Sequence, residues 1–327
     1  MVEQTYENDP FILIKFLEYL DIIKGYSDNT IKSYRNDILD FFRFIKGYCN
    51  IESSIKDFNV FILSNISEKD ILAFLVHSNI SKDNSARTRE RKVTAIKRFY
   101  KWLFSIYSIG DSKENPTKHI DHIIQNERLP KYLNLEQAKK ITDIFTIENS
   151  KMPISDNTII SLFLNCGLRV SEVSNLKIGN VNLKYKYIRV IGKRKKERCI
   201  FLNKAITEKL STYLSYRKKE HNPISLNDPL FLNYHHKKLG VDGIENICKK
   251  AFKLAGLESY GFTTHTLRHT AAMLIYRYSN ADLLVLKDFL GHSSVLSTEV
   301  YLHLYDERIK KAFDSNPLNT INDVKAA

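Results

Sequence analysis

His265-Thr266-Leu267-Arg268-His269 sets a histidine and an arginine three residues apart, on one face if the segment is helical. That pair suits an anionic substrate. The guanidinium fork binds two phosphate oxygens, and the imidazole donates a hydrogen bond or moves a proton. His269 is expected to pack or to make a structural hydrogen bond. In Cys166-Gly167-Leu168-Arg169-Val170-Ser171-Glu172, Gly167 permits a tight turn that would aim Arg169 into a cleft. Glu172, three residues on, could hold the Arg169 fork. In Leu290-Gly291-His292-Ser293-Ser294, Gly291 fits a helix end and the serines can cap the next helix. His292 then sits at a junction where polar groups converge, and Tyr301 follows. Each segment read alone has a plainer meaning: Arg169 in a surface ion pair, a packed histidine, or Tyr301 as one of 18 tyrosines filling a helix interface.

These residues need elements to carry them. Tyr185 to Ile191 reads as a strand, Gly192 to Lys196 as a turn, and Arg198 to Leu202 as a returning strand, a β-hairpin. Eight Lys and Arg against one acid between Lys184 and Arg198 make its tip very basic. Lys193, Arg194, Lys195 and Lys196 at that tip read on charge as a phosphate-contacting patch, and charge does not single out one of them. Helices are expected over Asn157 to Leu164, Thr266 to Tyr278 and Ala281 to Leu290. Earlier, Ser27 to Thr30 offers N-cap residues before the apolar stripe Ile31, Tyr34, Ile38, Phe41, Phe42 and Ile45. A helix from about Ser85 to Leu103 packs Val93, Ile96, Tyr100 and Leu103. It sets Arg87, Arg91, Arg98 and Lys101 on a second face, which could lie along a DNA backbone or simply be solvated.

The polar stretch with Asn115-Pro116 and Leu129-Pro130 carries turn signals and no apolar stripe. We divide the chain into a helical domain over 1–112, a linker over 113–130 and a second domain over 131–327 that bears the candidate chemistry. The fold expected is mainly α with a small antiparallel β-sheet. Lys and Arg number 50 against 37 Asp and Glu, a net +13 that suits a polyanionic partner. No stretch approaches the roughly 18 apolar residues of a membrane span, and the acidic, polar N-terminus does not read as a secretory signal. The expected location is the cytoplasm. Cys49, Cys166, Cys199 and Cys248 form no CxxC pair or zinc-ligand cluster and are expected to be buried free thiols. No metal site is expected.

Taken together, the order GLRVSE, GK at a hairpin tip, HTLRH, LGH and then Tyr301 nine residues after His292 resembles the tyrosine recombinases, or phage integrase family. The resemblance covers nearly the whole chain. Thr30 to Tyr34 and Lys97 to Leu103 look like the family's core-binding, SAM-like domain, and the two X-Pro sites fall where its linkers do. It implies that Arg169 and Arg268 clamp the scissile phosphate and that Glu172 supports the first arginine. It also implies that His265 and His292 fill the two histidine positions, that Lys193 is the hairpin lysine, and that Tyr301 is the nucleophile. The tip Lys193-Arg194-Lys195-Lys196 is more crowded with cations than the usual Gly-Lys-Gly form.

The same resemblance implies a 3′-phosphotyrosyl intermediate, a free 5′-hydroxyl, and no metal, ATP or other cofactor. Partners implied are double-stranded DNA recombination sites, a homo- or hetero-tetramer on two such sites exchanging strands through a Holliday junction, and a possible regulatory protein, with association to the nucleoid. The segment after Tyr301, around Asp306 to Asn319, would dock on a neighbouring subunit. Chromosome dimer resolution of the Xer type and integration or excision of a mobile element both fit. The chain reaches its core-binding domain almost at once, which favours the simpler Xer-like plan. A type IB topoisomerase and a catalytically idle DNA-binding protein are the alternatives. The complete set of six residues argues against the second.

Overall fold

The computed structural model describes residues 8–80, 85–107, 109, 113–121, 130–192, 197–220, 225–279 and 281–291. The chain divides into two compact units, 1–127 and 128–327.

The first unit is helical: α1 (Phe11–Glu18), α2 (Asp28–Tyr48), α3 (Val60–Ser64), α4 (Glu68–Ile80) and α5 (Ala86–Ile106). The expected α2 stripe is wholly buried, as are Val93, Ile96, Tyr100 and Leu103 of α5. The Ser85 side chain caps α5 by accepting from the Thr88 amide. Aromatic rings dominate the core. The Phe16 and Phe99 rings meet edge-on at 5.3 Å, and Phe41 meets Phe74 in the same way. Ile120, within the stretch expected to be linker, is buried in this same core.

The second unit is also mainly helical, with a small antiparallel sheet as expected. Its helices are α6 (Leu135–Ile141), α7 (Pro153–Cys166), α8 (Val170–Ser174), α9 (Lys204–Glu220), α10 (Val241–Leu254), α11 (Thr264–Tyr278) and α12 (Leu283–Leu290). α7 is buried around most of its circumference, Ser155, Thr158 and Ser161 included, and is accordingly central, packed by both α9 and α11. α12 packs on α11, burying Leu286 and Leu290 against Ala272, Met273 and Tyr276.

The sheet has three strands rather than two: β1 (Val181–Asn182), β2 (Tyr187–Ile191) and β3 (Glu197–Phe201), in that order. Sequence reading started β2 at Tyr185. Residues 183–186 instead form the turn that joins β1, with Lys186 at φ 51°. Ile188 and Val190 of β2 and Ile200 of β3 face the core, while Arg189, Ile191, Cys199 and Phe201 face out.

The expectation of four buried thiols is corrected: Cys166 and Cys248 are buried, but Cys49 and Cys199 are exposed. Cys199 lies on the outward side of β3, and Cys49 sits just past the end of α2. Among the described residues, no helix is long and apolar enough to cross a membrane.

Candidate active site

The site is built where α7 gives way to α8. α7 ends at Gly167, which takes the left-handed conformation at φ 55°. A side chain there would be strained, and its Cβ would stand 2.8 Å from the Phe289 ring. Two residues later Arg169 is the N-cap of α8, and Glu172 occupies the third helical position. One Glu172 oxygen accepts from the Arg169 backbone amide at 2.8 Å, and the other accepts from Arg169 Nη1 at 3.0 Å. The Arg169 side chain is 33% exposed.

Arg268 approaches the same junction from α11. A reciprocal pair of hydrogen bonds between Thr263 and Thr266 fixes the start of that helix. Arg268 is buried, and it donates from Nη1 to the Gly167 carbonyl and from Nη2 to the Leu290 carbonyl. Both acceptors are at helix C-termini, where carbonyls lack intrahelical partners and a cation is favoured. One guanidinium therefore joins the ends of α7 and α12 and brings Arg268 beside the turn that carries Arg169.

His265 is exposed on the first turn of α11, and His269 is half-buried. Burial pushes His269 down to about 4, helped by the nearby His265 and Arg268 charges. Its folded-state value lies below the unfolded histidine value of about 6.5, so the unfolded chain binds more protons through the window between them. Stability should fall as pH drops from 6.5 toward 4. The urea midpoint of the wild-type chain is expected to fall further between pH 7 and pH 5 than that of His269→Gln. Equal falls would mean that His269 titrates like an exposed histidine.

A further residue converges here that sequence reading had placed only in a basic strand. Arg198 of β3 donates from Nη1 and Nη2 to the two Glu172 oxygens, at 2.7 and 3.0 Å. The strand's period of two holds the signal: with Glu197, Cys199 and Phe201 outward, Arg198 shares the inward side with Ile200. Burial opposes ionisation of Glu172, but the hydrogen bonds and charges of Arg198 and Arg169 outweigh it and hold the carboxyl below its usual range. Gly291, which ends α12 at φ 62°, lies against Arg198.

Arg169, Glu172 and Arg268 are thus brought together, with His265 on the same helix as Arg268. Lys193, Arg194, Lys195, Lys196, His292 and Tyr301 lie outside the described residues. In the first unit Arg87, Arg91, Arg98 and Lys101 are all exposed on α5. Two of them also have partners within that unit. Arg91 pairs with Asp37, and Arg98 lies over the Tyr26 and Tyr34 rings at 5.3 and 5.8 Å. No cluster of three or more His, Cys, Asp or Glu suited to a metal ion occurs among the described residues. Two guanidiniums thus meet beside one turn, a group whose planar fork suits phosphate oxygens.

Comparison with known proteins agrees with this chemistry. The model of the phage integrase family matches residues 131–308, and that of the phage integrase N-terminal SAM-like domain matches residues 13–105. The tyrosine recombinase XerC of Caldanaerobacter subterraneus subsp. tengcongensis is 36% identical over 318 residues, 95% of this chain and 88% of the relative. In fold, the chain is similar to the XerH site-specific recombinase solved in a pre-cleavage complex with its difH substrate. That match has a TM-score of 0.69 and 24% identity over 93% of this chain and 83% of that one. It is also similar to a lambda integrase solved as a tetramer on a Holliday junction, with a TM-score of 0.64 and 17% identity over 89% and 76% of the two chains. The motif order read from the sequence, the paired arginines at the α7–α8 turn and these matches along both units place the chain in the phage integrase family, the tyrosine recombinases.

Proposed function

We propose that this chain cuts and rejoins DNA at specific sites through a covalent bond to Tyr301. The observation that carries the proposal is the convergence of Arg169 and Arg268 on the Gly167 turn. A phosphodiester repels nucleophiles because it is anionic. Two guanidiniums offset that charge and stabilise the pentacoordinate transition state. The Tyr301 hydroxyl oxygen attacks phosphorus, and the bond from phosphorus to the 5′-oxygen breaks. The phenol proton passes to His265, and the leaving 5′-oxygen takes a proton from Lys193. His292 supports the same phosphate. The product is a 3′-phosphotyrosyl ester and a free 5′-hydroxyl. Because the ester conserves the bond, the reverse attack rejoins the strand without an external energy source.

The partner is double-stranded DNA carrying a recombination site. The first-unit cations Arg87, Arg91, Arg98 and Lys101, together with Arg194, Lys195 and Lys196, serve its phosphates. Four copies act on two sites through a Holliday junction, as the lambda integrase assembly supports. The work belongs in the cytoplasm, on the nucleoid, in chromosome dimer resolution or in integration and excision of a mobile element.

Covalent trapping tests the proposal. The full chain, incubated without metal or ATP with nicked suicide DNA bearing its site, should give a denaturation-resistant adduct that mass spectrometry maps to Tyr301. No adduct on DNA shown to be bound at that site would favour an idle DNA-binding protein. Lys193→Ala should slow cleavage of ordinary DNA roughly 10²–10⁴-fold, the usual loss for a general acid. A 5′-thiolate leaving group needs little protonation and should restore much of the rate. Without that rescue, Lys193 is not the acid.

A further inference from the structure

Glu172 lies beside Arg169 with two of its oxygen contacts. A carboxylate paired with a single arginine cancels the charge that the arginine would offer to phosphate, and it draws the guanidinium toward itself. That would weaken the clamp it supports. The structure resolves the conflict with a second guanidinium. Arg198 takes Glu172 fork to fork through both Nη atoms, the strongest geometry available to this pair. Arg169 meets the same carboxylate through Nη1 alone. Arg198 is also the more enclosed of the two, with 16% of its side chain exposed against 33% for Arg169.

The seat for Arg198 is shaped on its other side by Gly291. A Cβ at that glycine would stand 2.9 Å from Arg198 Nε and 3.0 Å from both Cδ and Cζ. Nε is buried with no hydrogen-bond partner among the described residues, and the guanidinium is held by Glu172 and by packing against the end of α12. The contact spans 26 residues of chain, from β3 to α8.

We propose that Arg198 is a positioning residue: it neutralises Glu172, so that Glu172 can orient Arg169 while Arg169 keeps its positive charge for the scissile phosphate. One negative charge is then shared by two positive ones, and the cluster stays cationic. This rests on the strand-transfer reading. A purely structural ion pair, tying β3 to α8, would have the same contacts but different consequences when both partners are removed.

Single-turnover cleavage of the nicked suicide DNA, measured alongside DNA affinity and thermal unfolding, separates the two. Arg198→Met should slow cleavage by about 10²-fold, the scale of losing one charge-stabilising contact, with DNA affinity nearly unchanged. Glu172→Gln removes the charge that Arg198 offsets. The double variant Arg198→Met/Glu172→Gln should therefore cleave faster than Arg198→Met, by about tenfold. Arg198→Lys keeps the charge, loses the fork, and should retain most of the rate. It carries the test if Arg198→Met does not fold. A double variant as slow as Arg198→Met or slower overturns the proposal. So does Arg198→Met cleaving at the wild-type rate, or a folded Arg198→Lys that has lost its activity. A wild-type chain that forms no adduct at its bound site overturns the strand-transfer reading itself, and this inference with it.

Discussion

Tyr301→Phe is expected to abolish covalent adduct formation while leaving DNA binding at wild-type strength. The substitution removes one oxygen atom, and that oxygen is the only atom the proposed chemistry takes from the residue. No other tyrosine should substitute for it. A phenol must lose its proton to attack, from an ordinary value near pH 10. Buried tyrosines elsewhere are harder still to ionise. Tyr213 donates its hydroxyl to the Leu230 carbonyl and is pushed up to about 12 by burial. Tyr100 donates to the Leu63 carbonyl and is raised by complete burial. Gel analysis after denaturation, with peptide mapping of any residual adduct, decides the matter. An adduct of normal yield in the Phe variant would sink the nucleophile assignment, and mapping would identify the tyrosine that replaced it.

The second large effect is expected at Arg268, where one substitution should damage chemistry and stability together. Arg268→Ala removes one of the two guanidiniums proposed to clamp the scissile phosphate. Loss of a single preorganised donor costs roughly 10²–10³ in rate, and loss of a full charge should lie at or beyond the upper end. It also leaves the Gly167 and Leu290 carbonyls without the donor that joins α7 to α12. Each buried group left unsatisfied costs roughly 1–3 kcal/mol. Arg268→Lys separates the effects. It keeps the charge, but a single ammonium lacks the planar fork that spans both carbonyls. It should therefore be less stable than wild type yet cleave faster than Arg268→Ala. Urea unfolding and single-turnover cleavage measure the two terms independently. A folded Arg268→Ala protein that cleaves at the wild-type rate would remove Arg268 from the clamp.

Local information in the chain carried much of this far. Ser85 before α5, Gly167 after α7 and Gly291 after α12 mark helix ends through backbone preferences that depend on immediate neighbours. The α2 and α5 stripes placed core residues because the helix period is local geometry. The bond from Glu172 to Arg169 was legible for the same reason, as a three-residue spacing on one helical turn. Short pieces were missed where pattern is weakest. β1 has two residues, too few for an alternation to register, and it exists because β2 offers it an edge.

The order and spacing of GLRVSE, HTLRH, LGH and Tyr301 were enough to assign the family, because those positions follow one another along the chain whatever the packing. Tertiary structure decided what each charged group does with its charge. Arg268 reaches a carbonyl 101 residues away and another 22 residues away, and no local rule links those positions. Arg198 looked like one more cation in a basic hairpin. Strand pleating turned it inward, and the packing of β3 near α8 and the end of α12 gave it Glu172 and the space beside Gly291. Hydrogen bonds and ion pairs act over a few ångströms. Which distant residues come within that range is fixed only when the cores of α7, α11 and the sheet close.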